Sequence, residues 1–315
     1  MVALAGGVGA ARFLRGLIRV LDPAGVVVVV NTADDIERHG LLVSPDIDSV
    51  IYTLAERHDD ERGWGLRDET WHALEMLQLY GEEAWFQLGD SDLGTHLWRT
   101  ARRRAGATLS TVTAAQCAAL GVPAAVLPMS DDTVTTRVRC AGLGDLHIQE
   151  YFVREACRPV IEGIHYAGVE RARPAPGVLE AVVAADAVVV CPSNPVMSIA
   201  PILAVPGLRA ALREGPAGIA VTPIVAGAAL KGPAAAMLAW QGVEVSAAGV
   251  AALYADFCQA MIVDSRDADV ASRVEALGLR ALLADTVMAD LDTAVALAAT
   301  VRDALGLAGV PAVAA

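Results

Sequence analysis

Residues 1–17 read MVALAGGVGAARFLRGL. A short apolar run, residues 2–5, breaks at Gly6, Gly7 and Gly9 and passes into a helix-like stretch that carries Arg12. Strand, glycine turn and helix in that order form a β-to-α junction. Glycine accepts positive φ there and lets backbone N–H groups approach an anion, so Gly6, Gly7 and Gly9 predict a phosphate cradle in the first unit of an α/β fold. The dinucleotide fingerprint G-x-G-x-x-G/A fails in register, because Gly7 and Gly9 fill its first two positions and Arg12 its third. No Gly-Lys-Ser/Thr follows, so the P-loop pattern fails as well. The turn reads either as a phosphate binder, with Arg12 reaching back through its planar fork, or as a tight turn without a ligand.

Outward from this junction, strand-like runs recur at residues 2–5, 26–31, 124–127, 187–191, 219–222, 261–264 and 279–283. Most are separated by helix-like stretches. This alternation predicts an α/β fold with a doubly wound, mostly parallel sheet, and the near-continuous apolar runs suit strands covered on both faces. The whole chain, 1–315, reads as one such domain. Residues 61–113 break the rhythm with mixed charge, helical periodicity and Trp64, Trp71, Trp85 and Trp98, and are expected to form a helical insertion or cap. Those tryptophans either shelter a flat aromatic ligand or pack helices in the ordinary way. The Ala-rich tail after Asp290 reads as a helix with a loose end.

Composition narrows the function. Lys and Arg number 24 against 37 Asp and Glu, a formal charge of -13, which argues against nucleic acid as a partner. A small phosphorylated ligand is compatible, since local N–H groups, a cation or two and a metal ion hold it whatever the net charge. The five cysteines are widely spaced and lack a C-x-x-C pair, so they read as buried thiols rather than a disulfide framework or a zinc ribbon. The apolar runs are far shorter than the roughly 20 residues of a spanning helix, and no signal-peptide pattern opens the chain. A cytoplasmic protein without a membrane partner is expected.

The second strand runs into NTADDIERHGLLVSPDIDS, which gathers Asp34, Asp35, Asp46 and Asp48 at the carboxyl end of a strand, the edge where open α/β sheets bind ligands. Carboxylates beside a phosphate turn repel the ligand unless a divalent cation lies between, and Mg²⁺ takes one or two carboxylates plus phosphate oxygens. Asp34 also reads as a helix cap with the others as solvated loop acids, or as the ribose-binding acid of a NAD-type fold. Two further loops follow strands: CPSNPVMSIAPIL presents Ser193, Asn194 and Ser198 as neutral donors, and TPIVAGAALKGPAAAM carries Lys231 and Gly232. Lys231 reads equally as a ligand cation or a solvated lysine. In WFQLGDSDLGTHLWRT, Asp92 and His96 share a helix face at i and i+4, too few ligands for a zinc site.

Taken in order, GGVGAARFLRGL, NTADD…GLLVSPDIDS, RGWGLRDETW, WFQLGDSDLGTHLWRT, PSNPVMSIAPIL and TPIVAGAALKGPAAAM resemble the 2-phospho-L-lactate transferase family of coenzyme F-420 biosynthesis. The chain departs slightly from it, with Ala33 where the family more often has Gly and Ser49 where Thr is usual. The resemblance implies a Rossmann-like, often dimeric enzyme that requires Mg²⁺. It moves the phospho-acid of a guanosine diphosphate-linked donor onto the ribityl hydroxyl of the deazaflavin Fo and releases GMP; the acid is lactyl, enolpyruvyl or glyceryl. On this basis Gly6, Gly7, Gly9 and Arg12 bind the donor phosphates, with Ser193, Asn194, Lys231 and Gly232 supporting the nucleotide. Asp35 and Asp48 are the expected metal ligands and catalytic pair, with Asp34 or Asp46 orienting the hydroxyl. By the family motif Trp85, Asp90, Asp92 and His96 line or support the Fo pocket. Rival readings are a NAD-dependent oxidoreductase and a non-catalytic nucleotide or sugar-nucleotide sensor.

Overall fold

The computed structural model describes residues 1–230 and 232–309. Seven parallel strands form the central sheet, in the spatial order Arg280–Ala284, Ala260–Asp264, Ala217–Val221, Ala187–Val190, Val2–Ala5, Val27–Val30, Ala125–Pro128. Numbered along the chain, these strands run 7-6-5-4-1-2-3, a doubly wound order that reverses between the first and the fourth. Leu4 stands beside Val29 on one side and Val190 on the other, so the glycine turn leaves the sheet at its reversal point.

Strand alternation divides the core in two. Ala3 and Ala5 face Phe13, Leu14 and Leu17 of helix Gly7–Val20, Ile51 of helix Pro45–Leu54 and Leu297 of helix Leu291–Ala304. Val2 and Leu4 face the opposite layer, with Val178, Ile202, Met237 and Val250. Burial of each such side chain contributes roughly 1.5–3 kcal/mol, and small Ala3 and Ala5 let helix Gly7–Val20 lie close to the strand that feeds it.

Two features depart from plain alternation. Residues 61–113 contain a loop followed by helices His72–Leu79 and Asp90–Arg104, and helix Leu109–Leu120 carries on past the expected limit. A second sheet, which the strand reading did not include, lies in the crossover between the third and fourth strands. Thr135–Cys140 is flanked by Gly144–His147 and Ile161–Ala167, all antiparallel. Alternate residues Thr136, Val138 and Cys140 are buried, which lets one face of this small sheet pack beneath the turn that follows the second strand.

Candidate functional site

The three glycines have separate tasks. Gly7 has φ +73°, and the space a side chain would fill there is open. Gly6 and Gly9 are instead required by close packing: a Cβ on Gly6 would lie 2.6 Å from Asp46 Oδ2 and from Ser198 Cβ, and one on Gly9 would lie 2.5 Å from the Pro192 carbonyl. The Gly6 N–H donates to Ser193 Oγ at 3.2 Å, which joins the first and fourth strands across the reversal point. Asn194 accepts the N–H groups of Val196 and Met197 at 3.0 Å and so caps its own turn. Ser193 and Asn194 therefore shape the edge of the turn, with these oxygens turned to the backbone. Arg12 donates to the Met288 carbonyl at 3.4 Å and lines a narrow crevice with Val8, Ser49, Tyr52, His58 and Trp64. Gly232 is exposed, with φ +74°; Lys231 lies outside the described residues.

All four aspartates converge beside this turn, three of them buried and Asp35 partly so. Asp34 is fully buried; its Oδ1 accepts the Thr136 hydroxyl at 3.4 Å, and its Oδ2 has no hydrogen-bond partner. Burial and the nearby Asp46 charge push its carboxyl well above the usual range. Asp35 accepts the Ser44 hydroxyl at 2.7 Å on Oδ2, while Oδ1 is unpartnered. Burial pushes Asp35 up to about 8, against the opposing pull of Ser44 and Arg99. Burial raises Asp46 to about 6, moderated by Asn31, which donates to it at 2.9 Å, and by the nearby Gly7 N–H. Three carboxyls whose ionisation is disfavoured in one place could hold a positive ligand.

Asp48 differs from these three. Its carboxylate is gripped on both oxygens by the guanidinium of Arg99, which is 1% exposed, and Gln116 donates to Oδ1 at 3.2 Å. Arg99 also donates to His96 Nδ1 at 3.3 Å, which leaves His96 Nε2 protonated and 3.2 Å from Asp92 Oδ2. Asp92 in turn accepts the Tyr52 hydroxyl at 2.7 Å. Burial alone would raise the Asp92 carboxyl, but the adjacent His96, the Tyr52 bond and the Arg99 charge hold it below its usual value. Asp48, Asp92 and His96 offer ligand atoms within 4.8 Å of one another. Arg99 already supplies the positive charge there, so this cluster is neutralised from within.

The remaining expected residues lie around this core. Asp90 accepts the N–H groups of His72 and Ala73 at 3.0 Å and caps helix His72–Leu79. Trp85 packs edge-on to Phe86 with the guanidinium groups of Arg38 and Arg154 over its ring, and its buried Nε1 is unpartnered. Trp64 and Trp71 share Arg62, and Trp98 meets Arg102, so the insertion's tryptophans pack against arginines. A surface hollow of about 470 Å³ beside Glu56, Arg57, Arg67 and Ser91 contains none of the four aspartates. The chemistry, and not that hollow, locates the site.

Sequence reading missed Arg99 and a second group from the small sheet. His147 Nε2 donates to the Asp35 carbonyl at 3.0 Å while its Nδ1 accepts the Gln149 N–H at 3.1 Å, and Gln149 donates to the Asp34 carbonyl at 3.4 Å. Thr136, His147 and Gln149 thus hold the acid-bearing turn from below. The period-2 pattern of residues 135–140 was the available signal.

Fold and site together define a Rossmann-like protein whose glycine turn opens beside an acid cluster at the reversal of its sheet. The chain belongs to the family described as 2-phospho-L-lactate transferase CofD, whose model matches residues 1–302. It is 45% identical to the phosphoenolpyruvate transferase of Streptomyces griseus, over 98% of each chain. It is 37% identical to the 2-phospho-L-lactate transferase of Methanosarcina mazei, over 96% of this chain and all of that one. The crystal structure of a UPF0052 family protein from Bacillus halodurans shares the fold, with a TM-score of 0.65, 16% identity and coverage of 95% and 97%. The chain is accordingly a transferase of the phospholactate and phosphoenolpyruvate type, consistent with coenzyme F-420 biosynthesis.

Proposed function

We propose that the chain transfers a phosphoenolpyruvyl group from a guanosine diphosphate-linked donor to the ribityl hydroxyl of the deazaflavin Fo and releases GMP. The observation that carries the chemistry is the cluster of Asp34, Asp35 and Asp46 next to the open face of Gly7. The choice of enolpyruvyl over lactyl is supported by the relatives, since those at 44–45% identity bear the name phosphoenolpyruvate transferase and the Methanosarcina mazei protein, at 37%, bears the other.

Mg²⁺ is the cation this reading requires, and the residues suit it. Asp34 Oδ2 and Asp35 Oδ1 are hard oxygen donors, buried and without a partner. We assign them, with Asp46, as the atoms that would hold the ion. Asp48, expected as a ligand from the sequence, has both oxygens engaged by Arg99, and we assign it to that pair. A bound Mg²⁺ would offset the charge of the donor phosphates.

The chain's own groups do the rest. The Gly7 turn receives phosphate oxygens, and Arg12 approaches from the crevice beside it. An aspartate of the cluster orients the ribityl hydroxyl and takes its proton as the new O–P bond forms and the bond to GMP breaks. Displacement of this kind needs positioning and charge balance and no covalent nucleophile. A homodimer is proposed from the family likeness, to be checked by sedimentation. A cytoplasmic setting is proposed as well; among the described residues no single helix is long and apolar enough to cross a membrane.

The test is turnover of purified protein with Fo, Mg²⁺ and each guanosine diphosphate-linked acid in turn, read by mass for the phosphodiester and GMP. Product from the enolpyruvyl donor alone supports the reading. Product from the lactyl donor alone corrects the acid, and no product from any donor defeats the assignment.

A further inference from the structure

The phosphate turn contains an anion of its own. Asp46, 5% exposed, places Oδ2 where a Cβ on Gly6 would collide at 2.6 Å; it accepts the Asn31 side chain at 2.9 Å, and the nearby Gly7 N–H favours its charge. Gly7 opens helix Gly7–Val20, 14 residues long, and the N–H groups at such an end are the ones that attract a phosphate. Here a carboxylate from the next helix already stands beside the first of them. Asp34 lies close enough for the Asp46 charge to act on it, and its fully buried Oδ2 has no hydrogen-bond partner. Two buried carboxylates thus stand at the mouth of the turn, and one oxygen of the pair is left free.

Resting on the functional reading above, we propose that Asp46 makes nucleotide binding conditional on a divalent cation: with its carboxylate uncompensated, it keeps a diphosphate off the Gly7 turn, so the cation enters first. Two like charges at hydrogen-bond range in a desolvated site repel strongly. The free Asp34 oxygen and Asp46 would hold a cation, whose charge would offset that repulsion. The role belongs to Asp46 in particular, because Asp48 is matched by Arg99 and Asp35 does not bond the turn.

Calorimetric titration of GDP into the full-length protein tests this, with Mg²⁺ or with a chelator, for the wild type, Asp46→Asn and Asp46→Ala. Asparagine keeps the shape and removes the charge, and thermal melts confirm that each variant is folded. For the wild type, Mg²⁺ is expected to tighten GDP binding by at least about tenfold. For Asp46→Asn, GDP is expected to bind in chelator about as well as with Mg²⁺, and Asp46→Ala to follow the same pattern. Equal wild-type affinity with and without Mg²⁺ overturns the proposal, as does an unchanged Mg²⁺ requirement in folded Asp46→Asn or Asp46→Ala. Absence of GDP binding by the wild type under every condition overturns the nucleotide-donor reading itself, a result distinct from either of these.

Discussion

Arg99 grips both carboxylate oxygens of Asp48 from a residue 51 positions away, and neither side chain is more than 6% exposed. Such a pair is worth little compared with a well-packed apolar pair, but removing one member strands a buried charge. Arg99→Met is expected to cost about 3–5 kcal/mol in denaturant unfolding. The double variant Arg99→Met, Asp48→Leu should recover a large part of it. If the single variant melts like the wild type, the pair is not the structural unit described here.

Asp35 gives a pH signature. Folding raises its carboxyl from 3.8 to about 8, so its native form is favoured when protonated. The stability this provides is complete below about pH 4 and is lost as pH rises towards 8. In chelator at pH 8, Asp35→Asn should therefore melt higher than the wild type by about 3–6 °C, and the gap should narrow at pH 5. Added Mg²⁺ should raise the wild type alone, and transferase activity of the variant should be lost. A variant that melts lower at pH 8 in chelator contradicts the assignment.

His147 has the opposite sign. Burial lowers its value from 6.5, with the neighbouring Arg137 charge adding to that effect and the bond to the Asp35 carbonyl opposing it. Its contribution is present above pH 6.5 and is lost as pH falls below that. His147→Phe keeps the bulk but frees the Asp35 carbonyl, and kcat is expected to fall by about tenfold to a hundredfold through misplacement. A near-normal kcat would show that the turn holds its own position.

The glycines separate into two classes by a single methyl group. Gly9→Ala meets the Pro192 carbonyl at 2.5 Å and is expected to cost about 1–3 kcal/mol as the strand edges part. Gly7→Ala meets open space but must adopt φ +73°, which costs about 1–2 kcal/mol. Its larger effect should fall on nucleotide affinity, because the methyl group stands in the space left for the ligand. Chemical unfolding together with GDP titration distinguishes the two.

The seven main strands were legible because each is a short, uninterrupted apolar run with a turn behind it, and parallel strands buried on both faces produce that pattern. The acid cluster and the glycine turn were legible for the same local reason. Arg99 was not, since an arginine on a polar helix reads as solvated until Asp48 and Gln116 are brought to it from elsewhere. Asp90, read from the family motif as lining or supporting the Fo pocket, also caps a helix that begins 18 residues earlier, which no local pattern shows. His147 was passed over because its importance lies in a backbone carbonyl 112 residues away. What local pattern cannot encode is the identity of a partner supplied by the tertiary fold.

The grip of the small sheet on the acid turn bears on how the protein is made. All four aspartates and the glycine turn leave the ribosome within the first 48 residues, while Thr136, His147 and Gln149 follow about a hundred residues later and Ser193 later still. Until they arrive the carboxylates remain in water, ionised and repelling one another, and there is no reason for them to gather. Contacts this far apart in sequence are closed late and slowly. The nascent chain thus carries the acids of its site well before it can assemble them, and translation itself delays the site until the fourth strand has paired with the first.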